Sequence, residues 1–307
     1  MPVRSDKKNI STVLMLLQFA IFGFSFVAME KLIDCGCRSL LIIGVRFALG
    51  GAALALAGLC LPKTSVFAFC PNKLSVQYGL IAGLMLFVGH GVQTYASEYT
   101  SAANNALFTG LNVVFVALLT MLLRRKPDAK VIVCTVMSIV GVALVAGFSF
   151  RGFSPNFGDI LAVLSGLAFG LNYMLLEKLL SHKGLNLCVF TVFQMLVPAL
   201  LGFMGSALFE RGGYGGIDLS QAAPWFLYMG VAASGITYLI QAFAQSHLTA
   251  TTVSVLSCTE PVFAAVFSIL LGYDTFSLRL AAGFVLILSA TLIICLAPGR
   301  GRKTAAA

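Results

Sequence analysis

Charged residues are scarce in this chain of 307 residues. Asp, Glu, Lys and Arg make up 10% of it, whereas hydrophobic residues make up 59%. An ordinary soluble domain is about 25% charged and roughly 45–50% apolar. A soluble core does not need this much apolar sequence, so the composition excludes a water-soluble globular protein. We therefore predict an integral membrane protein surrounded by the lipid bilayer.

Sequence signals of several other function classes are missing. Histidine occurs three times, and neither His90 nor His247 has a metal-ligand partner or a nucleophile pattern nearby, which disfavours a membrane enzyme. No glycine-rich loop ending in Lys-Ser or Lys-Thr occurs, which disfavours ATP-driven pumping. Cys35 and Cys37 form a close pair, but no further ligand completes a metal site. We predict no enzyme activity, no metal and no cofactor.

What the chain has instead is ten apolar stretches of about 20 residues, each long enough to cross a bilayer core of roughly 30 Å. Long continuous apolar runs predict helices rather than a barrel. The predicted spans are 10–29, 39–61, 74–96, 102–123, 130–149, 158–180, 186–208, 222–244, 249–271 and 277–297. The predicted fold class is all-α integral membrane with ten transmembrane helices and short connections.

Basic residues lie unevenly on the two faces of this predicted bundle. If the N-terminus is cytosolic, most of the 20 Lys and Arg residues fall on that same side, including Arg124–Lys126 and the tail residues Arg300, Arg302 and Lys303. This positive-inside bias predicts cytoplasmic termini in a plasma membrane, which is the inner membrane in a bacterium. It also accounts for the net charge of +9, so nucleic acid is not a predicted partner.

The chain contains a repeat at a nearly constant offset. Phe22-Gly23 and Glu30-Lys31-Leu32 recur 147 residues later as Phe169-Gly170 and Glu177-Lys178-Leu179, and Gln93–Leu123 recurs without a gap 148 residues later as Gln241–Leu271. Five spans per copy is an odd number, so the second copy enters the membrane from the opposite side. We predict two inverted five-helix repeats, 1–149 and 150–307, the second with a short basic tail.

Inverted repeats supply two similar conformations, one open to each side of the membrane, and alternating access follows as a hypothesis. The Glu-Lys pairs end the first span outside and the sixth span inside, at symmetric positions. They are interpreted either as parts of two gates or as snorkelling residues that mark helix ends. The gating candidates are Glu30, Lys31, Glu177, Lys178, Pro198 and Pro261.

Two charged residues, Arg46 and Glu260, fall deep within predicted spans. A central charge costs roughly 2.5–3.5 kcal/mol on insertion scales, so neither is expected to face lipid. Alone in a dehydrated cavity, Glu260 would favour its neutral form and is a candidate proton carrier. Paired with Arg46, it would stay ionised as a structural or gating contact. Both interpretations remain open at this point.

Proline lies next to polar residues in two spans. Pro261 frees the carbonyl of Ser257, and Pro198 frees that of Gln194, so each kink either opens toward a cavity or is merely a bend. The candidate substrate-cavity residues are Arg46, Gln93, Tyr95, Asn112, Asn172, Gln194, Tyr238, Gln241, Ser257 and Glu260. Interhelical hydrogen bonding is the alternative for each of them.

Five short motifs, in chain order, are Arg46-Phe47, Gln93-Thr94-Tyr95, Thr109–Phe115, Gly158–Ala162 and Glu260–Ala265. Together they resemble the EamA family of the drug/metabolite transporter superfamily over nearly the whole chain. The resemblance implies a central cavity between two inverted repeats and the export of amino acids or related metabolites, with proton antiport as an expected coupling mode.

Two departures from the family pattern stand out. A Gly-Glu pair often closes the fourth and ninth spans, where this chain has Arg124–Pro127 and Gly272–Asp274, and Phe22-Gly23 replaces a common Trp-Gly pair. The leading interpretation is a secondary transporter that exports a small metabolite, such as an amino acid whose carboxylate and ammonium are read by Arg46 and Glu260. The alternatives are multidrug or cation efflux and a non-transporting scaffold or receptor.

Overall fold

The structure is a computed structural model that describes residues 2–62, 65, 67–96, 99–100, 102–124, 129–148, 154–210, 216–272 and 275–296. The α-helices are α1 (Pro2–Asp34), α2 (Ser39–Cys60), α3 (Lys73–Ala96), α4 (Ala102–Thr109), α5 (Asn112–Arg124), α6 (Ala129–Val145), α7 (Phe157–Leu179), α8 (Leu187–Phe209), α9 (Leu219–Leu227), α10 (Thr237–Gln245), α11 (Ala250–Ser257), α12 (Glu260–Leu270) and α13 (Leu278–Leu296), and a π-helical segment, Tyr228–Ile236, joins α9 to α10. The all-α prediction is confirmed.

These helices make up the ten predicted spans. The fourth span consists of α4 and α5, the eighth of α9, the π-helical segment and α10, and the ninth of α11 and α12. Within the described residues, nine spans are long and apolar enough to cross a membrane, and α6 is a shorter apolar helix. The predicted orientation and the two departures from the family pattern rest partly on residues outside the described part of the chain. These are residues 125–127, 273–274, 300, 302 and 303.

The repeat seen in the sequence recurs in the packing. Gly23 of α1 lies against α12, where an added Cβ would be 2.7 Å from both Phe263 Cβ and Ala264 N. Gly170 of α7 lies against α5, where an added Cβ would be 3.4 Å from Phe115 Cβ. In each case, the first helix of one repeat packs against the second half of the broken span of the other repeat. The two repeats therefore interlock around a shared centre.

Small residues bring several helices to near backbone contact. An added Cβ at Gly202 of α8 would lie 2.6 Å from Gly44 N of α2, and one at Gly283 of α13 would lie 2.8 Å from Gly141 O of α6. In a membrane, such contacts allow dispersion forces to hold helices together where no hydrophobic effect operates between them. Close backbone contacts therefore join α2 to α8 and α6 to α13.

We call the side at which α1 ends the outer face and the opposite side the inner face. At the outer face, the Cys35 carbonyl accepts a hydrogen bond from Asp218 N (3.2 Å). Hydrogen bonds from Ser220 and Gln221 hold the pKa of Asp218 below its usual range. Burial raises the pKa of the Cys37 thiol, which disfavours the thiolate form that metals and oxidants need. Within the described chain, no cluster of three or more metal-ligand side chains is found.

Candidate functional site

The fourth and ninth spans are both broken near their middle. α4 ends at Thr109 and α5 begins at Asn112, whereas α11 ends at Ser257 and α12 begins at Glu260. The two interruptions are two residues long and are related by the sequence offset of 148. Asn112 and Glu260 therefore occupy equivalent positions, each in the first turn of a half-helix inside the membrane.

The two breaks share the same backbone geometry. Leu111 N donates to Phe108 O (3.2 Å), and its equivalent Thr259 N donates to Leu256 O (3.0 Å). These tighter three-residue turns replace the regular four-residue ladder at both breaks. In the ninth span, Pro261 in the first turn of α12 has no amide hydrogen to give, which favours a helix start there. The predicted kink at Pro261 is thus a complete interruption.

A side-chain contact joins the two breaks. Ser257 Oγ lies 3.3 Å from Asn112 Oδ1 and 2.8 Å from Ser254 O, as donor in both contacts. Asn112 is buried, and the Tyr173 phenol of α7 lies beside Ser257. The two half-helices therefore meet in one polar region at the centre of the bundle.

Glu260 is the acidic member of this region. Its side chain is half-buried, and it is close enough to Arg46, Tyr173 and Tyr238 for electrostatic interaction. Across the part of the chain that the structure describes, its carboxylate has no ion pair or hydrogen bond. A carboxylate at this depth with no bonded protein partner is able to bind a proton or a substrate cation.

Arg46 is buried and bonded to the π-helical segment. Its Nε donates to Ser234 Oγ (3.0 Å), and its Nη2 donates to Ala233 O (2.9 Å). The guanidinium also lies over the Phe47 ring, 5.1 Å from the centroid. Of the two sequence-based interpretations, the direct ion pair with Glu260 is not formed among these described residues. Arg46 instead fastens α2 to the eighth span.

His90 and Tyr238 form a contact that the sequence analysis missed. His90 Nε2 lies 2.6 Å from Tyr238 OH, and the two residues are separated by 148 positions. They are therefore equivalent residues of the two repeats. Equivalent residues can touch only where the two-fold axis that relates the repeats passes between them, so this contact marks the axis.

Aromatic rings surround the axis in equivalent pairs. Phe22 lies 5.8 Å from the Tyr238 ring, and its equivalent Phe169 lies 5.0 Å from the His90 ring, measured between centroids. Phe47 contacts both central rings, at 5.5 Å from His90 and 5.7 Å from Tyr238. These five side chains, which we call the aromatic cluster, lie at the interface of the two repeats.

A signal for His90 was present in the sequence. The ungapped repeat beginning at Gln93 extends three residues upstream at the same offset and pairs His90 with Tyr238. Considered alone, His90 has no metal-ligand or nucleophile pattern near it in sequence, and so it was not among the predicted site residues. The informative feature is that His90 is equivalent to Tyr238, which is a predicted cavity residue.

Gln241 belongs to a chain of buried amides toward the inner face. Gln18 Nε2 donates to Gln241 Oε1 (3.4 Å), Gln241 Nε2 donates to Gln245 Oε1 (3.4 Å), and Gln245 Nε2 donates to Tyr173 O (2.6 Å). These contacts tie α1, α10 and α7 together. The structure therefore places Gln241 in an interhelical network.

Asn172 and Gln194 are fully buried. Among the described residues, Asn172 Oδ1 and Gln194 Nε2 have no hydrogen-bond partner. The carbonyl that Pro198 frees at Gln194 does not open toward a cavity. It faces α3, where an added Cβ at Gly83 would lie 2.5 Å from that oxygen. Pro198 itself is buried.

Two other predicted cavity residues lie toward the end of α3. Gln93 is half-buried, and its carbonyl accepts a hydrogen bond from Asn105 Nδ2 (2.9 Å). Tyr95 is 47% exposed, and its hydroxyl lies 2.8 Å from that of Tyr99. Tyr95 is therefore not part of the buried central region.

The predicted gating residues differ between the two faces. At the inner face, the Glu177 carboxylate accepts a hydrogen bond from Ala250 N, the first residue of α11 (2.8 Å). At the outer face, Glu30 is exposed, and Lys31 forms a surface ion pair with Asp34 (3.6 Å). Lys178 is exposed. Equivalent residues thus have different surroundings.

Comparison with known proteins agrees with this architecture. The model of the EamA-like transporter family matches residues 9–147 and, a second time, residues 156–296. A solved crystal structure that is 17% identical has a TM-score of 0.76 and covers 93% of this chain and 96% of that chain. At this identity, the likeness shows the fold alone.

The curated relatives carry transporter names without an assigned substrate. The uncharacterized transporter YoaV of Bacillus subtilis is 20% identical over 277 residues, covering 87% of this chain and 90% of the relative. An uncharacterized transporter of Archaeoglobus fulgidus is 24% identical over 188 residues, covering 58% of this chain and 62% of the relative.

Proposed function

This chain belongs to the EamA-like transporter family, and from that premise we propose that it is a secondary transporter that exports a small metabolite by alternating access. The observation that carries the proposal is the His90–Tyr238 contact of 2.6 Å between equivalent residues. A site reached in turn from both faces must lie where the inverted repeats meet. The aromatic cluster and the neighbouring Glu260 and Asn112 line that meeting point.

The difference between the two ends of the bundle supports alternating access. At the inner face, α11 packs on α5 and α7. The equivalent contacts at the outer face would join α4 to α12 and to α1, and within the described residues no comparable packing occurs. We propose that this is the outward-open conformation, and that the opposite conformation exchanges the roles of the two repeats.

The proposed substrate carries a protonatable amine and an apolar or aromatic part. Glu260 has no bonded partner among the described residues, and aromatic rings attract cations through their faces. An amino acid or a related amine fits these groups. Efflux of cationic drugs is the second candidate, because the bonds from Arg46 to Ser234 and Ala233 leave its guanidinium less able to bind a substrate carboxylate.

Protons are the proposed coupling ion, with Glu260 as their carrier. A carboxyl that binds either a proton or a substrate ammonium couples the two by competition. We also propose that the repeats divide near residues 149–150, that both termini are cytoplasmic, and that the protein resides in a plasma membrane, the inner membrane if the cell is bacterial. The excess of basic residues in alternate loops supports this orientation.

The test compares metabolites in the medium of cells that overproduce wild type, Glu260→Gln or Asp34→Asn at equal membrane abundance. Asp34→Asn is the matched control, since it removes an acidic charge from the outer surface. We expect a few amine-bearing compounds to be enriched by wild type and Asp34→Asn but not by Glu260→Gln. Equal enrichment by all three would remove Glu260 from the mechanism, and no enrichment by any would contradict export.

A further inference from the structure

We propose that Glu30 is the outer latch of this transporter: in the inward-open conformation its carboxylate accepts a hydrogen bond from the N-terminus of α4. This inference rests on the proposed alternating access and names one contact of the conformation that the structure does not contain. It starts from the contact between Glu177 and Ala250 N (2.8 Å) at the inner face.

The contact at the inner face has a clear physical basis. The first amide groups of a helix lack intrahelical partners, and the helix dipole favours an anion there. Glu177, near the end of α7, supplies that anion to α11. The inner half of the ninth span is thereby fastened to the end of the sixth span. This bond holds the inner face closed.

The outer face contains the same parts at the same offset. Glu30 is the equivalent of Glu177, and Ala102, the first residue of α4, is the equivalent of Ala250. Glu30 is exposed, and no hydrogen bond to it is found within the described ranges. The outer latch is therefore present in the chain but open in this conformation.

Two apolar side chains near Glu30 on α1 are also more exposed than their equivalents in the second repeat. Phe26 and Ile33 of α1 are 39% and 52% exposed, whereas their equivalents, Tyr173 and Leu180 in and just after α7, are 8% and 6% exposed. Positions 26, 30 and 33 lie on one side of a helix, because they are spaced by four and three residues. The face that closes the inner end is thus unpacked at the outer end.

Exchange of the repeat conformations converts one arrangement into the other. When α7 separates from α11, α1 would meet α4 with Phe26 and Glu30 at the contact, as Tyr173 and Glu177 meet α11 here. The carboxylate would then accept from the first amide of α4, as Glu177 accepts from Ala250 N at the inner face. A glutamine there would keep the side-chain shape but lose the charge that the helix terminus favours.

The first test uses cross-linking in the full-length chain in membrane vesicles. A short bifunctional maleimide is applied to Glu30→Cys with Ala102→Cys and, as the matched inner pair, to Glu177→Cys with Ala250→Cys, and linked peptides are identified by mass spectrometry. We expect both pairs to link, with wild type giving neither product. Linking of the inner pair without any linking of the outer pair, in a protein that transports, would overturn the latch.

The second test separates the latch from a merely structural role. Transport and inner-face access to a membrane-impermeant thiol reagent are compared for Glu30→Gln and for Asp34→Asn, one turn further along α1. We expect Glu30→Gln to reduce both readouts roughly fivefold and Asp34→Asn, which alters an exposed ion pair, to change neither by more than about twofold. Unchanged readouts for Glu30→Gln would overturn the latch. If the outer pair links but no substrate moves, the proposed function fails while the latch stands.

Discussion

The two helix breaks have the same backbone and different chemistry. Both interrupt a span for two residues. The hydrogen bond from Leu111 N to Phe108 O in one break is at the position equivalent to the bond from Thr259 N to Leu256 O in the other. Yet Asn112 is an amide, buried and bonded to Ser257, whereas Glu260 is acidic and half-buried. The duplicated fold thus has the helix break in both copies and an acidic side chain at one of the two breaks.

The largest expected effect comes from moving that charge between the breaks. We expect Glu260→Asn to reduce transport by more than about tenfold, because the membrane-embedded carboxylate is lost. Adding Asn112→Glu in the same chain should restore part of it, since the carboxylate then begins α5 at the equivalent position. Transport into vesicles measures both. A double variant no more active than Glu260→Asn would show that the breaks are not interchangeable.

The next effect contrasts the eighth span with the third, its equivalent. The π-helical segment is bonded by Arg46, whereas α3 is a regular helix. Arg46→Lys removes the Nε donor to Ser234, and an unsatisfied buried group costs about 1–3 kcal/mol. The thermal unfolding midpoint of Arg46→Lys in detergent should fall accordingly. The midpoint of Ser234→Ala, which leaves the Ala233 contact, should fall less. Equal stability of Arg46→Lys and wild type would refute the anchoring role.

An effect of similar size distinguishes the two glycine contacts of the repeats. An added Cβ at Gly23 would be 2.7 Å from Ala264 N, and one at Gly170 would be 3.3 Å from Asn112 O. Gly23→Ala should therefore destabilise the protein by about 1–3 kcal/mol, and Gly170→Ala by less. Unfolding midpoints of the two variants give the comparison. The reverse order would mean that the repeats do not pack as described.

The smallest effect concerns the amide chain at the inner face. Interhelical hydrogen bonds in membranes contribute about 0.6 kcal/mol on average, so Gln241→Leu should lower stability only slightly. A double-mutant cycle with Gln18→Leu isolates the contact between the two side chains. A coupling energy indistinguishable from zero would show that the 3.4 Å contact adds nothing to inner closure.

Much of the fold was predictable because hydrocarbon imposes it. Spans, helices and the repeat follow from apolar runs and a constant offset, and the family match to 9–147 and 156–296 agrees with them. The break at Gly110-Leu111 was not predicted, since no proline marks it. The π-helical segment, Tyr228–Ile236, was not predicted either, because its composition is ordinary for a membrane helix.

The site was harder to predict for a related reason. In uniformly apolar spans, periodicity does not reveal which helix face points inward. Arg46 and Glu260 were identified by their cost in lipid, but the partner of Arg46 is a backbone carbonyl and a serine that carry no charge signal. Tyr95 was chosen by motif and lies near a helix end. His90 was recoverable only through its equivalence to Tyr238.

The contact on the axis also bears on the energetics of the resting protein. If both residues there were identical, exchanging the repeats would regenerate the same contact, and this contact would favour neither conformation. A histidine facing a tyrosine, with Phe22 and Phe169 behind them, makes the exchange inexact. Under the proposed alternating access, this contact would therefore bias the empty protein toward one side of the membrane before any substrate or ion gradient acts on it.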